Sequence, residues 1–359
     1  MGKIGKLKVK LDKPYYVAGE ICSGVVYMKN KAPVEVDKVY IKIKGKEKVV
    51  WEEHWTTPIY RGEGENRRKV GDEHHQAEYD EKESFFKKKI KITGKDAMIP
   101  PGKWAFPFQF QLPTHGKKGN KLTGSFKMEE TNTYDWRGAR GMVKNLKAKI
   151  EYSMKAVVDL EDCKDLEKKV DFTVYEQLPS AIALPHDEKE QEVMMCFCIP
   201  KGKLNIKATL DKNFYCPGEK GVAIAEIKND SSVNVTAKVE LNRIMRLKAD
   251  GHRIYDKDMK NLGRFGKVEA GEEKTVRMEF QIPNALPSTD GHYVDCNYVM
   301  DVLAEISMAP DIECHFPVNI FMPQIPPERY LADFGDEIGD YTVLAACSVA
   351  DMKLRPGYA

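Results

Sequence analysis

Apolar and polar residues alternate along most of this chain. From Leu7 to Val50 the runs LKVKL, ICSGVVYM and VEVDKVYIKIKGKEKV put an apolar side chain at nearly every second position, the period of a strand buried on one face. KNLKAKIEYSMKAVVDL and KKVDFTVYEQL repeat the pattern before residue 178. LNIKATL, GVAIAEIKN, VNVTAKVELNRIMRL, KTVRMEFQIP, VDCNYVMDVLAEI and IECHFPVNIF repeat it between 204 and 321. No segment carries a convincing amphipathic helix. Turn signals such as Asn-Asp-Ser and Pro-Ser-Thr-Asp-Gly punctuate the strands. The pattern predicts an all-β protein of antiparallel sheets, each with one face in a core.

The pattern is also written twice. LKVKLDKPYYVAGE, Leu7 to Glu20, returns as LNIKATLDKNFYCPGE, Leu204 to Glu219. Both copies read as a strand, a turn opened by Gly19 or Gly218, and the start of a second strand. FPFQFQLP ending at Pro113 answers VRMEFQIP ending at Pro283, and Tyr152-Ser153-Met154 answers Tyr298-Val299-Met300. Three matches in one order predict two related β-sandwiches of about seven strands each. We place the first at 1–178 and the second at 202–322, with a linker at 179–201 marked by Pro179, Pro185 and Pro200, and a tail at 323–359.

The first half is the longer one. Gly19 to Gly102 spans 83 positions and Gly218 to Gly271 only 53. The extra material, GEGENRRKVGDEHHQAEYDEKES, has no apolar period and reads as a long surface excursion before the strand FFKKKIKI. A second excursion runs from Pro113 to Met142. Both are candidate contact loops.

Net charge is only +2, but residues 1–178 carry 36 Lys and Arg against 27 acids and the remainder 21 against 28. The first half is basic and the second acidic. Lys6, Lys8 and Lys10 share the polar face of one strand, Lys42 and Lys44 that of another, and Lys147 and Lys149 that of a third. Together they are the candidate site for an anionic partner, either acidic protein tails or anionic lipid. Lysines also keep exposed strand faces wet and sheet edges from aggregating. Long apolar runs and a signal-like start are absent, which predicts a soluble, intracellular protein. Eight scattered cysteines without framework spacing read as free thiols, with Cys196-Phe197-Cys198 a packed structural pair.

Catalytic constellations do not emerge. Gly62-Glu63-Gly64 lacks a third glycine and a strand-to-helix setting, and neither a Gly-x-Ser-x-Gly elbow nor a His-Glu-x-x-His pair occurs. His74-His75 reads as a solvated loop pair. No cofactor, metal or catalytic residue is expected. Nucleic acid is not expected either, because the lysines alternate with core residues and lack the interleaved aromatics of a stacking platform.

These residues resemble the arrestin family, most closely the alpha-arrestins, or arrestin domain-containing proteins. YYVAGEICSGVV and FYCPGEKGVAIAEIKNDSS look like the family's opening strand pairs, and IPPGKWAFPFQFQLP like its central Gly, aromatic and Leu-Pro pattern. MCFCIPKGKLNIKATLDK and VVWEE with EKESFF are similar to alpha-arrestin sequences. The resemblance implies two tandem immunoglobulin-type sandwiches joined by a short linker. It also implies a non-enzymatic adaptor in membrane-protein trafficking, cytoplasmic and peripheral to the plasma or endosomal membrane. Such an adaptor holds cargo or receptor tails and links them to sorting or ubiquitination machinery. A structural coat or retromer-type subunit is the alternative. Visual and beta-arrestins carry an Asp after the second strand's Gly-Val-Val where this chain has Lys29, which argues against their phosphate-triggered switch. Alpha-arrestins recruit ligase WW domains through Pro-Pro-x-Tyr. Here Pro326-Pro327-Glu328-Arg329-Tyr330 has one residue too many, and Arg355-Pro356-Gly357-Tyr358 lacks the first proline. Tyr341-Thr342-Val343-Leu344 fits the Tyr-x-x-apolar pattern bound by clathrin adaptors, although a strand packed on the protein itself is the reading the segment favours.

Overall fold

The computed structural model describes residues 5–92, 97–116, 119, 121–131, 134–161, 164–179, 183–195, 199–322 and 342–343. Each half of the chain is a sandwich of two sheets, and the halves share one strand order. In the first, Gly5–Leu11, Ile21–Asn30 and Gly102–Gln111 lie side by side and face a sheet ordered Tyr15–Val17, Leu166–Tyr175, Met142–Leu160, Val34–Arg61, Arg68–Lys91. In the second, Ile199–Leu210, Lys220–Ser231 and Glu273–Gln281 face Phe214–Tyr215, Ile312–Ile320, Val294–Ile306, Val235–Ala249, His252–Val268. All pairs on these paths are antiparallel except the short strand at each corner, Tyr15–Val17 on Thr173–Tyr175 and Phe214–Tyr215 on Asn319–Ile320. The inward positions close a core around Trp51, Tyr16, Tyr152, Phe106 and Phe110 in one domain and Tyr215 and Phe316 in the other.

The repeated motif is a repeated set of bonds. The Tyr16 hydroxyl donates to Asp12, and that of Tyr215 to Asp211 at 2.6 Å. Lys13 pairs with Glu20 and Lys212 with Glu219. The second oxygen of each glutamate accepts the backbone N–H of Val17 at 2.9 Å or of Cys216 at 2.8 Å, closing the turn. Gly19 and Gly218 sit at φ +87° and +81°, where only glycine is unstrained. Further along, Gln111 and Gln281 donate to the carbonyls of Gly19 and Gly218 at 3.1 and 3.0 Å. Buried Asn30 and Asn229 each tie two loop carbonyls together.

Three intervals differ from the sequence expectation. The charged interval after Trp51 is not a loose excursion: Arg68–Lys91 is one strand, paired along its length with Val34–Arg61 in a hairpin whose turn holds a single 3-10 turn at Gly64–Asn66. The far part of the hairpin extends past the sandwich, so only Tyr79 and Phe86 of that strand are buried and no period of two is written. The acidic part of the interval read as linker is also structured. His186–Met195 pairs with Ile199–Leu210 as the edge strand of the second domain. Its charges are answered across the ladder, Glu190 by Lys203 at 3.1 Å and Glu188 by Lys207 at 3.7 Å. The second excursion contributes Phe126–Glu130 and Tyr134–Asp135, both paired with Met142–Leu160.

Candidate functional site

The seven candidate lysines divide between two sheets whose outer faces point away from each other. Lys6, Lys8 and Lys10 lie on the Gly5–Leu11 strand, outward of Leu7, Val9 and Leu11, and Lys6 stands beside Lys29, which stands beside Lys103. Lys42, Lys44, Lys147 and Lys149 lie on the opposite sheet. There they separate again. Lys149 pairs with Glu129, and Lys147 stands directly opposite Glu129 in the ladder. Lys42 and Lys44 lie farther along, opposite Lys89 and Lys87. Lys42 and Lys89 both hold their ammonium groups over the Tyr40 ring, at 5.1 and 3.9 Å from its centre. Partial burial, with the charges of Lys46 and Lys87, holds Lys44 below the usual lysine range.

The domain junction carries residues that the sequence reading passed over. Ile41, Ile43, Gly45, Glu47, Val49, Trp51 and Glu53 all point inward from one strand, and two of these seven are acids. Glu47 is 3% exposed and crosses to the second domain, where it accepts the backbone N–H groups of His292 at 3.0 Å, Tyr293 at 2.8 Å and Val294 at 2.7 Å. Burial raises its pKa, and these three donors offset that rise only in part. Gly291 makes room, since a Cβ there would lie 2.4 Å from the Glu47 carboxylate. Glu53 accepts from the Trp51 indole and from the Arg140 N–H, both at 3.0 Å. Trp51 stacks on Tyr79 at 5.1 Å, and Tyr79 meets His252 of the second domain at 4.4 Å. Arg137 and Tyr255 exchange backbone hydrogen bonds of 3.0 and 2.9 Å across the junction. An acid at an inward strand position was the available signal for Glu47 and Glu53.

Beside this junction lies a cleft of ≈ 670 Å³ lined by Arg137 of the first domain and by Arg246, Lys248, Arg253 and Lys257 of the second, together with Tyr255, Tyr293 and two acids, Asp290 and Asp295. Arg246 is engaged by Asp295 at 2.9 Å. Its lining holds five cations against two acids, beside aromatic and aliphatic side chains, a balance that suits an extended acidic peptide segment.

Other reactive groups are already occupied. His75 stacks on Trp55 at 5.4 Å and bonds Thr57 at 2.6 Å. Asp301, Glu313 and His315 place ligand-type atoms within 4.8 Å of one another, but the buried Asp301 already accepts from His315 at 2.8 Å and Asn242 at 2.6 Å. Burial pushes the Cys22 thiol up to about 12 and those of Cys296 and Cys314 to about 11, which keeps them protonated and unreactive. Cys196 and Cys198 lie outside the described residues, as do Pro326, Pro327, Tyr330, Tyr341 and Leu344. Between the last two, Thr342 and Val343 form a short parallel pairing with Trp104 and Ala105 at the edge of the first domain. Among the described residues, no helix is long and apolar enough to cross a membrane.

Comparison with known proteins accounts for both halves. Residues 7–180 match the family model "Arrestin (or S-antigen), N-terminal domain", and residues 200–325 the model "Arrestin (or S-antigen), C-terminal domain". The chain is 28% identical over 328 residues to arrestin domain-containing protein A of Dictyostelium discoideum, an alignment that covers 89% of this chain and 51% of that protein. It is 24% identical over 228 residues to arrestin domain-containing protein 4 of Homo sapiens, covering 62% and 49%. It is 20% identical over 335 residues to arrestin domain-containing protein 15 of Caenorhabditis elegans, covering 88% and 78%. The chain thus spans about half the length of the first two relatives.

Proposed function

The chain belongs to the arrestin family, and on that premise we propose that it is a non-enzymatic adaptor in membrane-protein trafficking. It binds the cytoplasmic tails of cargo proteins and connects them to sorting machinery at the plasma or endosomal membrane. The observation that carries this reading is the net basic cleft at the domain junction, lined by Arg137 of one domain and by Lys248, Arg253 and Lys257 of the other, with Tyr255 and Tyr293. Acidic or phosphorylated tail segments have the complementary charge, and a site shared by two domains couples occupancy to their relative position. The tail from 323 onward is the second handle. Its interrupted Pro-Pro motif at Pro326, Pro327 and Tyr330 binds WW domains weakly or not at all, because the anchoring tyrosine is out of register with the prolines. Tyr341 and Leu344 engage a clathrin-adaptor subunit only when the Thr342–Val343 pairing is released.

Affinity capture of the full chain from native cells tests the reading, together with an Arg253→Glu, Lys257→Glu variant. Recovery of membrane-protein cargo that is lost with the variant supports the adaptor. Recovery of one constant stoichiometric assembly without cargo supports the coat or retromer-type alternative.

A further inference from the structure

The hydrogen-bond register of the first domain lines lysines up across strands that are far apart in sequence. Lys89 stands opposite Lys42, Lys42 opposite Lys155, and Lys155 opposite Lys169, so four lysines from four adjacent strands form one row. On the same face, one step along the strands, Lys87 stands opposite Lys44. At the strand spacing of about 4.8 Å the row is about 14 Å long. Like charges directly opposite in a ladder are destabilising. Elsewhere this sheet answers its lysines, as in Lys38 with Asp159 at 2.9 Å, Lys48 with Asp80 at 3.4 Å and Lys149 with Glu129. Lys155 and Lys169 likewise reach Glu167 and Asp171, each at 2.6 Å. Lys42, Lys44, Lys46, Lys87 and Lys89 have no acid within ion-pair distance among the described residues, although Glu151 lies across from Lys46.

The geometry points to this face as a docking surface for an anionic lipid leaflet. Three features favour a membrane over a peptide. The charges run across the strands as well as along them, whereas a peptide added to a sheet edge reads alternate side chains of one strand. All are lysines, which act as point charges; none is an arginine, whose planar fork selects individual phosphates or carboxylates. The face is open, and the cleft at the domain junction is lined by other residues. The inference deepens the adaptor reading and rests on it in one respect, since an adaptor for membrane cargo works at a leaflet. It gives that adaptor two separate anion-binding surfaces, the sheet face for lipid and the cleft for protein.

The test is flotation of the full chain with phosphatidylcholine vesicles, with and without phosphatidylserine, at low and physiological salt. Each lysine near a charged leaflet is worth about fivefold in binding, so Lys42→Glu, Lys44→Glu and Lys89→Glu together weaken it by about 100-fold or more. The expected result is binding only to vesicles containing phosphatidylserine, weakened by salt and lost in the triple variant. The same charge change at Lys203, Lys228 and Lys274 of the second domain has little effect. The triple glutamine variant separates binding from folding, because the relief of opposed like charges and the loss of the Tyr40 contacts are of similar size, so the melting temperature stays close to wild type while vesicle binding falls. Wild-type vesicle binding by either triple variant overturns the inference. So does an acidic peptide that binds this face when phosphatidylserine vesicles do not. Cargo capture in detergent that survives in the triple variant leaves the adaptor reading standing whichever way the vesicles decide.

Discussion

The carboxylate of Glu47 lies 2.7 Å from the backbone N–H of Val294, a residue 247 positions away in the other domain. With the N–H groups of His292 and Tyr293, this forms a cradle of three donors filled by one buried acid. Domain docking therefore depends on a side chain that the alternating pattern would have made apolar.

Replacing Glu47 with Ala leaves these donors without their acceptor and destabilises the docked protein by about 2–3 kcal/mol. Gln is milder, since its carbonyl serves Tyr293 and Val294 while its amino group faces the His292 donor. The pH dependence has a definite sign. Burial raises the folded-state pKa above the unfolded carboxyl value of about 4.3. The contribution of Glu47 is then fully present below the unfolded value and lost as pH rises through the folded one. Denaturant unfolding of wild type and Glu47→Gln is expected to show a larger wild-type advantage near pH 5 than near pH 8. An advantage that grows with pH would contradict this account.

Gly138 sits at φ +88°, and a Cβ added there would lie 2.5 Å from the carbonyl oxygen of Arg253 in the second domain. Gly138→Ala is expected to cost about 1–2 kcal/mol in backbone conformation alone, plus the displacement of the opposing chain. The check is protease cleavage between residues 179 and 186, which should speed up in the variant while each domain keeps its circular dichroism. An unchanged cleavage rate would mean that the Arg137–Tyr255 bridge contributes little to docking.

The repeated tyrosines predict an order of effects. Asp12 receives both the Tyr16 hydroxyl and the Ser23 hydroxyl, the latter at 3.0 Å. Asp211 receives Tyr215, but Val222 stands where the first domain has Ser23. Tyr215→Phe leaves its carboxylate the poorer of the two and is expected to cost about 2–3 kcal/mol, against about 1–2 for Tyr16→Phe. Chemical denaturation of the two variants compares them directly, and equal or reversed costs would show that Ser23 does not compensate.

The tail makes a competition measurable. Thr342 and Val343 pair with Trp104 and Ala105, so Val343→Pro, which removes a ladder donor, is expected to release the segment. Binding of a clathrin-adaptor medium subunit to the full chain should rise to that of the free 323–359 peptide and vanish with Tyr341→Ala. Tight WW-domain binding by the same peptide, lost with Tyr330→Ala, would show instead that the interrupted proline motif works.

How much of this was legible in the sequence follows from what a period of two encodes. It gives the face each residue takes, so the all-β class, the duplication, the core faces and the outward lysines could all be read from Leu7 to Ile320. The matched Asp, Lys, Tyr, Gly and Glu of the two turns could be read as well, since their bonds are local. Alternation does not encode which strand lies beside which, or in what register, because ladder hydrogen bonds join backbones whatever their side chains. The row of Lys89, Lys42, Lys155 and Lys169 exists only once four strands have been aligned. For the same reason alternation does not show that the seven candidate lysines belong to two sheets, which the sandwich turns to opposite sides. Arg68–Lys91 and His186–Met195 carry almost no alternation, because one extends beyond its sandwich and the other is an exposed edge; neighbouring strands hold both in place. Tertiary structure alone decided Glu47. Its sequence position says that a charge points inward, and only the approach of the second domain supplies the three N–H groups that make that charge tolerable.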